Sequence, residues 1–343
     1  MQALVGSTKS GVDMPLALFD RIVDEVLPHV SRLSFSVAGE PTIAPHFLEF
    51  LDRVNTLDLT TELVTNATAL HRPGLLDRLL PRLGLLIASL DGARAPTVER
   101  IRAGAQYSRI LENLERFQAA RIARPSATRP EFLIAMTLST ANIAELPEVV
   151  ALAARLGADR VVCSWLQVHD PMLLDLSLHA VPGQVEARFA EARALARRLG
   201  LGLDLPAEPP AVPLGLAARR MLGHLGDRSR RRSALRAALQ RARVRAWELR
   251  SGLEARCSFL WGRVYLHADG HVSPCCVQGR PYVGNLGERS FQAIWTGPEM
   301  TALRAGMFDG NPHAACARCS QGQGPNPAPV EAWTEPVQNP LDR

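Results

Sequence analysis

TELVTNATALHRPGLLDRLLPRLGLLIASL, residues 61–90, reads as strand, helix and strand within thirty positions. Residues 61–66 and 84–90 are short apolar runs of strand length. Residues 73–82 between them carry leucines at helical spacing. The same alternation extends in both directions. Upstream, residues 14–30 place Leu16, Phe19, Ile22, Val23 and Val26 on one helical face. An apolar strand, Arg32–Ala38, and a helix over 45–57 follow. Downstream come a helix over 96–119, a strand over 131–138 (EFLIAMTL), a helix over 143–156 closed by Gly157, a strand over 160–167 (RVVCSWLQ), a helix over 182–199 and a short strand over 202–205. Apolar strands separated by helices are buried on both faces, as in a parallel sheet covered by helices. Right-handed crossovers build such units into a barrel or part of one. The expected fold class is therefore α/β, a partial (β/α) TIM-like barrel. In this reading the series opens on a helix, so its first strand is missing.

The chain has 343 residues, 47% of them hydrophobic, enough for one large domain and a small one. No apolar run reaches the length of a membrane span. The first residues lack a basic flank followed by an apolar stretch, which argues against secretion and for a reducing, cytoplasmic setting. The net charge of +5 is uneven: residues 219–250 hold eleven arginines against Asp227 and Glu248, a local balance of +9, leaving about −4 (5 − 9) elsewhere. The expected division is a barrel over 1–205, a Pro-rich linker and Arg-rich helical segment over 206–250, a cysteine-rich domain over 251–320, and a disordered tail over 321–343. The basic helix Ser233–Leu249 lacks the interleaved aromatics of a base-stacking surface, so it reads as a solvated helix and nucleic acid is not the expected partner.

Five of the six cysteines fall in the last 90 residues: Cys257, Cys275, Cys276, Cys316 and Cys319. In a reducing compartment such clustering indicates metal before disulfides. Cys257, Cys275, Cys316 and Cys319 give C-x17-C-x40-C-x2-C, whose CxxC pair can reach one metal or one cluster edge from a tight turn. Tyr265–Cys275 (YLHADGHVSPC) reads as a hairpin. Val264 and Leu266 alternate with polar positions, and Asp269-Gly270 forms the turn. Four thiolates suit zinc or a [4Fe–4S] cluster, and spacing leaves both open. Cys276 is a spare or alternative ligand. Cys163, in an apolar strand, reads as a buried structural thiol. His267 and His271 flank the turn and are expected to be exposed.

The C-terminal segments CSFLWGRVYLHADGHVSPCC, VGNLGERSFQAIWTGPEMTALRAG and CARC resemble the radical SAM superfamily with a SPASM-type domain. The resemblance spans about residues 8–319. Ala38-Gly39-Glu40-Pro41 looks like that family's GGEP motif, which meets the amino end of S-adenosyl-L-methionine. TELVTNAT, residues 61–68, is similar to its TTNGT strand end, with Asn66 matched. SLDGARAPTVERIRAG, residues 89–104, places Ser89 and Asp91 where the family lines its S-adenosylmethionine or substrate pocket. MTLSTANIAEL, residues 136–146, resembles the next strand and an N-x2-E-L helix start. All fall at predicted C-terminal strand ends, the ligand-binding edge of parallel α/β folds.

The resemblance implies an auxiliary [4Fe–4S] cluster on Cys257, Cys275, Cys316 and Cys319. It implies S-adenosylmethionine at Gly39, Glu40, Pro41, Asn66, Ser89 and Asp91. The implied reaction is cleavage to a 5′-deoxyadenosyl radical that modifies a peptide or small molecule, with electrons from a donor such as a flavodoxin or ferredoxin. The family's CxxxCxxC loop has no counterpart, since no cysteine precedes Cys163. Gly6–Ser10 aligns just after that loop, so the expectation is a start site placed too far downstream. Two other readings are a non-catalytic iron–sulfur electron-transfer or binding protein, and a zinc-stabilised binding module.

Overall fold

A computed structural model describes residues 2–6, 13–35, 39–166, 171–178, 181–207, 257, 259–275, 281–308 and 311–316. The Arg-rich helix, most of the Pro-rich linker, the tail, Ala38, Cys276 and Cys319 lie outside the described residues. The chain forms two compact units, Met1–Thr60 with Asp227–Arg343, and Thr61–Gly226.

The first unit opens with β1 (Gln2–Gly6), α1 (Leu16–Glu25), β2 (Arg32–Phe35) and α2 (Phe47–Val54). β1 corrects the expectation that no strand precedes the first helix. It runs parallel to β2, with Gln2 opposite Arg32 and Val5 opposite Phe35. Its Ala-Leu-Val run is too short to show a period, so only strand pairing reveals it. α1 stops earlier than its periodicity suggests. Pro28 cannot donate a backbone hydrogen bond, and Leu27–His29 tightens into a 3-10 turn. α2 buries Phe47, Phe50, Leu51 and Val54, a stripe at i, i+3, i+4 and i+7. Phe50 stacks on Phe19 of α1 with ring centroids 4.0 Å apart. Phe47 meets Phe35 at the end of β2 edge-on, at 5.1 Å. Each buried phenyl ring contributes roughly 2–3 kcal/mol.

The second unit holds β3 (Thr60–Thr65), α3 (Leu75–Leu79), β4 (Leu83–Ser89), α4 (Ala95–Ile101), α5 (Tyr107–Ile122), β5 (Glu131–Leu138), α6 (Leu146–Arg155), β6 (Arg160–Trp165), α7 (Pro182–Leu199) and β7 (Gly202–Asp204). The strands pair in sequence order and all in parallel. The helix expected over 96–119 is two helices, because the chain turns at Gly104, whose φ is +84°. Leucine and isoleucine periodicity carries through that turn and hides it. No described helix is long and apolar enough to cross a membrane.

The chain returns to the first unit with α8 (Phe259–Gly262), β8 (Arg263–His267), β9 (His271–Ser273), β10 (Gly284–Asn285), α9 (Phe291–Trp295) and α10 (Pro298–Phe308). β8 and β9 form the expected antiparallel hairpin, with Tyr265 opposite Ser273. Gly270 takes φ +86°, and a Cβ there would stand 2.5 Å from Asn285 Oδ1, so only glycine fits the turn. β8 also pairs in parallel with β1, from Gln2–Arg263 to Gly6–His267. Val264, Tyr265, Leu266 and His267 are all buried, not alternately buried and exposed as the sequence suggested. His267 is 7% exposed, which overturns its expected exposure.

A polar clasp joins the two ends of this unit. The Arg21 Nε donates to Glu25 Oε1 at 2.5 Å, and Glu25 Oε2 accepts the Phe291 N–H of α9 at 2.7 Å. Arg21 also donates to the carbonyl of Arg289 at 3.1 Å.

Thr61 of β3 is fully buried, and its hydroxyl finds no hydrogen-bond partner among the described residues. Thr61→Val removes that desolvated group at constant shape. It should raise stability by about 1 kcal/mol, read from the urea midpoint. A lower midpoint would show that the hydroxyl is satisfied in solution.

Candidate functional site

Cys257, Cys275 and Cys316 stand outside any disulfide among the described residues, each partly exposed. Register locates two of them. Tyr265 faces Ser273, so continuing the antiparallel ladder sets Cys275 level with Arg263, at the open end of the hairpin. Cys257 enters at the same end, separated from β8 only by Ser258 and the single turn of α8. The third arm leaves α10 and reaches Cys316. Arg304 of α10 ties it to the first. Its Nε donates to the Leu260 carbonyl of α8 at 3.1 Å and a terminal nitrogen to the Trp295 carbonyl at 2.9 Å, while the guanidinium lies 4.6 Å from the Trp295 ring centre. Burial pulls the Arg304 pKa below the ordinary arginine value. Among the described residues, no three His, Cys, Asp or Glu side chains are grouped to hold one metal ion. The donor chemistry is that of a thiophilic centre, with Cys257, Cys275 and Cys316 supplied by three separate segments of the chain.

Cys163 is the buried thiol that the sequence suggested. It sits in β6 opposite Met136, 6% exposed. Burial, reinforced by the Asp204 charge, pushes its pKa up to about 12.

In the first unit, Gly39 is exposed with φ +88°, and Glu40 and Pro41 are half-buried just beyond β2. Glu40 Oε1 accepts from the Thr42 N–H at 3.2 Å and its hydroxyl at 2.5 Å, capping the 3-10 turn Pro41–Ile43. The carboxylate is thereby held in one orientation.

In the second unit, the last β3–β4 pair is Thr65–Ala88, so Asn66 stands beside Ser89 one step further. Sequence reasoning named both, and the parallel register brings them together. Asn66 Oδ1 accepts from the Thr68 N–H at 2.9 Å and its hydroxyl at 2.6 Å. Ala67 between them is fully buried at φ +60°. That conformation costs a non-glycine residue about 1–2 kcal/mol. The Thr65 hydroxyl accepts the Ala67 N–H at 2.9 Å, and Asn113 of α5 donates to its carbonyl at 2.8 Å.

Asp91 is placed differently from its neighbours. Oδ2 accepts two bonds from Arg102, at 2.7 and 2.9 Å, and Oδ1 accepts the Thr137 N–H at 2.8 Å. This carboxylate holds the loop after β4 and is not presented at its surface. Asn142 donates to the Asp91 and Thr137 carbonyls at 3.0 and 2.8 Å. Glu145 accepts from the Ala93 N–H at 2.8 Å and from the Thr97 hydroxyl. Arg102, Asn142 and Glu145 were not named as site residues. The N-x2-E-L pattern carries the two polar residues but gives no sign that they clamp a loop about fifty positions upstream.

Comparison with known proteins sets this geometry in a family. Residues 257–320 match the SPASM family, an iron–sulfur cluster-binding domain. A stretch of 147 residues is 32% identical to the PqqA peptide cyclase of Gluconobacter oxydans, covering 41% of this chain and 37% of that protein. Streptococcus suis SuiB bound to S-adenosylmethionine superposes with a TM-score of 0.55 at 14% identity, over 89% of this chain and 65% of that one. The anSMEcpe structure with bound AdoMet and Cp18Cys peptide gives 0.55 at 16% identity, over 93% and 86%. The cysteine-rich segment is of the SPASM type. The structural likenesses show the fold: the expected α/β partial barrel with a C-terminal cluster domain. The chain spans only 37% of the length of the matched cyclase. The choice between zinc and iron–sulfur, open on spacing, falls to iron–sulfur with the SPASM match.

Two measurements test this site. Iodoacetamide at pH 8 should leave Cys163 unlabelled in the folded protein and modify it after denaturation, read by peptide mass spectrometry. Rapid labelling of the folded chain would contradict its burial. Arg102→Ala strands Asp91 without its cation and should cost about 3 kcal/mol by chemical denaturation. A loss below about 1 kcal/mol, the range of surface pairs, would mean that Asn142 and Glu145 hold the loop unaided.

Proposed function

We propose that this protein is an S-adenosylmethionine-dependent enzyme that modifies a peptide, with an auxiliary [4Fe–4S] cluster on Cys257, Cys275, Cys316 and Cys319. The observation that carries the reading is the SPASM match over residues 257–320, on a segment whose described cysteines lie next to α8, the hairpin and α10 and outside any disulfide. A peptide substrate is supported by three relatives. One is a peptide cyclase, one was crystallised with its precursor peptide SuiA, and one holds the Cp18Cys peptide.

Glu40, fixed by Thr42, supplies the negative charge that suits the ammonium of S-adenosylmethionine. Asn66 and Ser89 supply polar groups at adjacent strand ends, where parallel α/β folds bind ligands. The turn that carries Asn66 is already formed by the hydrogen bonds of Thr65, Thr68 and Asn113, so little ordering is required there on binding. When bound, S-adenosylmethionine supplies the 5′-deoxyadenosyl group for hydrogen abstraction. A CxxxCxxC motif to open it reductively is absent from this sequence. A flavodoxin- or ferredoxin-type donor is the proposed redox partner.

Anaerobic reconstitution with iron and sulfide should yield about four irons per chain and a brown, air-sensitive chromophore. Serine at 257, 275 and 316 together should abolish both. Equilibrium dialysis should detect S-adenosylmethionine binding, weakened about tenfold in Asn66→Ala by loss of a hydrogen bond to a charged ligand. A colourless zinc-bound chain, or one that does not retain S-adenosylmethionine, would overturn the proposal.

A further inference from the structure

The hairpin contains a chain of contacts leading to one of the cysteines. His267 closes β8, and its Nε2 lies 3.0 Å from the Oγ of Ser273, the last residue of β9. Ser273 is fully buried. Its hydroxyl donates to the backbone carbonyl of Cys275 at 3.3 Å. A hydroxyl has one proton. With that proton on the Cys275 carbonyl, the Ser273 oxygen accepts from an imidazole protonated on Nε2, the tautomer that completes the chain of contacts. Tyr282 packs edge-on against this imidazole, with ring centroids 5.2 Å apart, and shelters it from water.

The chain of contacts lies where the sheet stops helping. Ser273 is the last residue of β9, and Pro274 has no N–H to continue the ladder. Cys275 therefore lies past the last strand bond, at the open end of the hairpin, on a stretch that the relay reaches through its carbonyl.

We propose that His267 and Ser273 are positioning residues that fix the Cys275 peptide, so that its thiolate is aimed at the cluster before iron arrives. The inference rests on the reading of Cys275 as a cluster ligand. Outer-sphere groups that orient a ligand typically alter metal retention about 10- to 100-fold. A polar relay of this kind differs from simple packing in one respect: a side chain of different shape but similar hydrogen-bonding capacity should substitute for the imidazole.

The test uses the reconstituted full chain, with Ser273→Ala, His267→Phe and His267→Gln beside the wild type. The rate of iron loss to a chelator and the reduction potential of the cluster are measured, with circular dichroism as a check of folding. Ser273→Ala and His267→Phe should release iron about tenfold faster and shift the potential. His267→Gln, whose amide can donate to the same hydroxyl, should stay within about twofold of the wild type. Release at the wild-type rate in Ser273→Ala overturns the proposal, as does equal loss in His267→Gln and His267→Phe. If His267→Phe does not fold, Ser273→Ala decides alone, since it removes a single oxygen. A wild type without iron would sink the cluster reading itself, a result distinct from wild-type iron with unaffected variants.

Discussion

The Glu25 carboxylate caps the first turn of α9, 266 positions further along the chain, and Arg21 holds it there while reaching the Arg289 carbonyl. Around this clasp the first unit is assembled from the two ends of the sequence. β1 lies between β2 and β8, so the strand entering the cysteine hairpin is also bonded to the opening segment of the chain. Closing so long a loop is entropically unfavourable, though the cost grows only logarithmically with length. The β1–β8 ladder bonds and the clasp oppose it together. The cysteine arms thus inherit their positions from residues near the N-terminus, through α9 and Arg304.

The strand ends of the second unit follow a different logic, with polar groups stiffening loops in advance of any ligand. The loop after β4 is held by Arg102, Asn142 and Glu145, and the turn after β3 by Thr65, Thr68 and Asn113. A buried network of this kind is worthwhile only when its members are satisfied, and Asp91 meets that condition with three bonds. The left-handed Ala67 is the one non-glycine residue with positive φ among those described, and its neighbours hold it in place.

Much of this was legible in the sequence where the signal is local. β5 matches its expected span of 131–138 and α7 its span of 182–199, because each is a long periodic segment with clear ends. Asn66 and Ser89 were named through the family resemblance, and only their place at strand ends follows from the strands. Local signals failed where a distant partner decides the outcome. β1 is a strand because β2 and β8 flank it. β8 is a central strand, paired on both edges, and both its faces are covered, His267 included. The role of Asp91 depends on Arg102, Thr137 and Asn142, none of which its own neighbourhood reveals. The break between α4 and α5 is the opposite case: one glycine outweighs a continuous apolar period.

The shared β8 strand bears on how this protein can be dissected. A fragment cut at the start of the cysteine-rich segment would keep the hairpin but strip β1 from its flank, baring a row of amide and carbonyl groups along an apolar ribbon. Such an edge recruits any strand it meets, including its own copies. The natural seam of the molecule therefore does not follow the order of its sequence, and the metal-binding part is best handled together with the first sixty residues that support it.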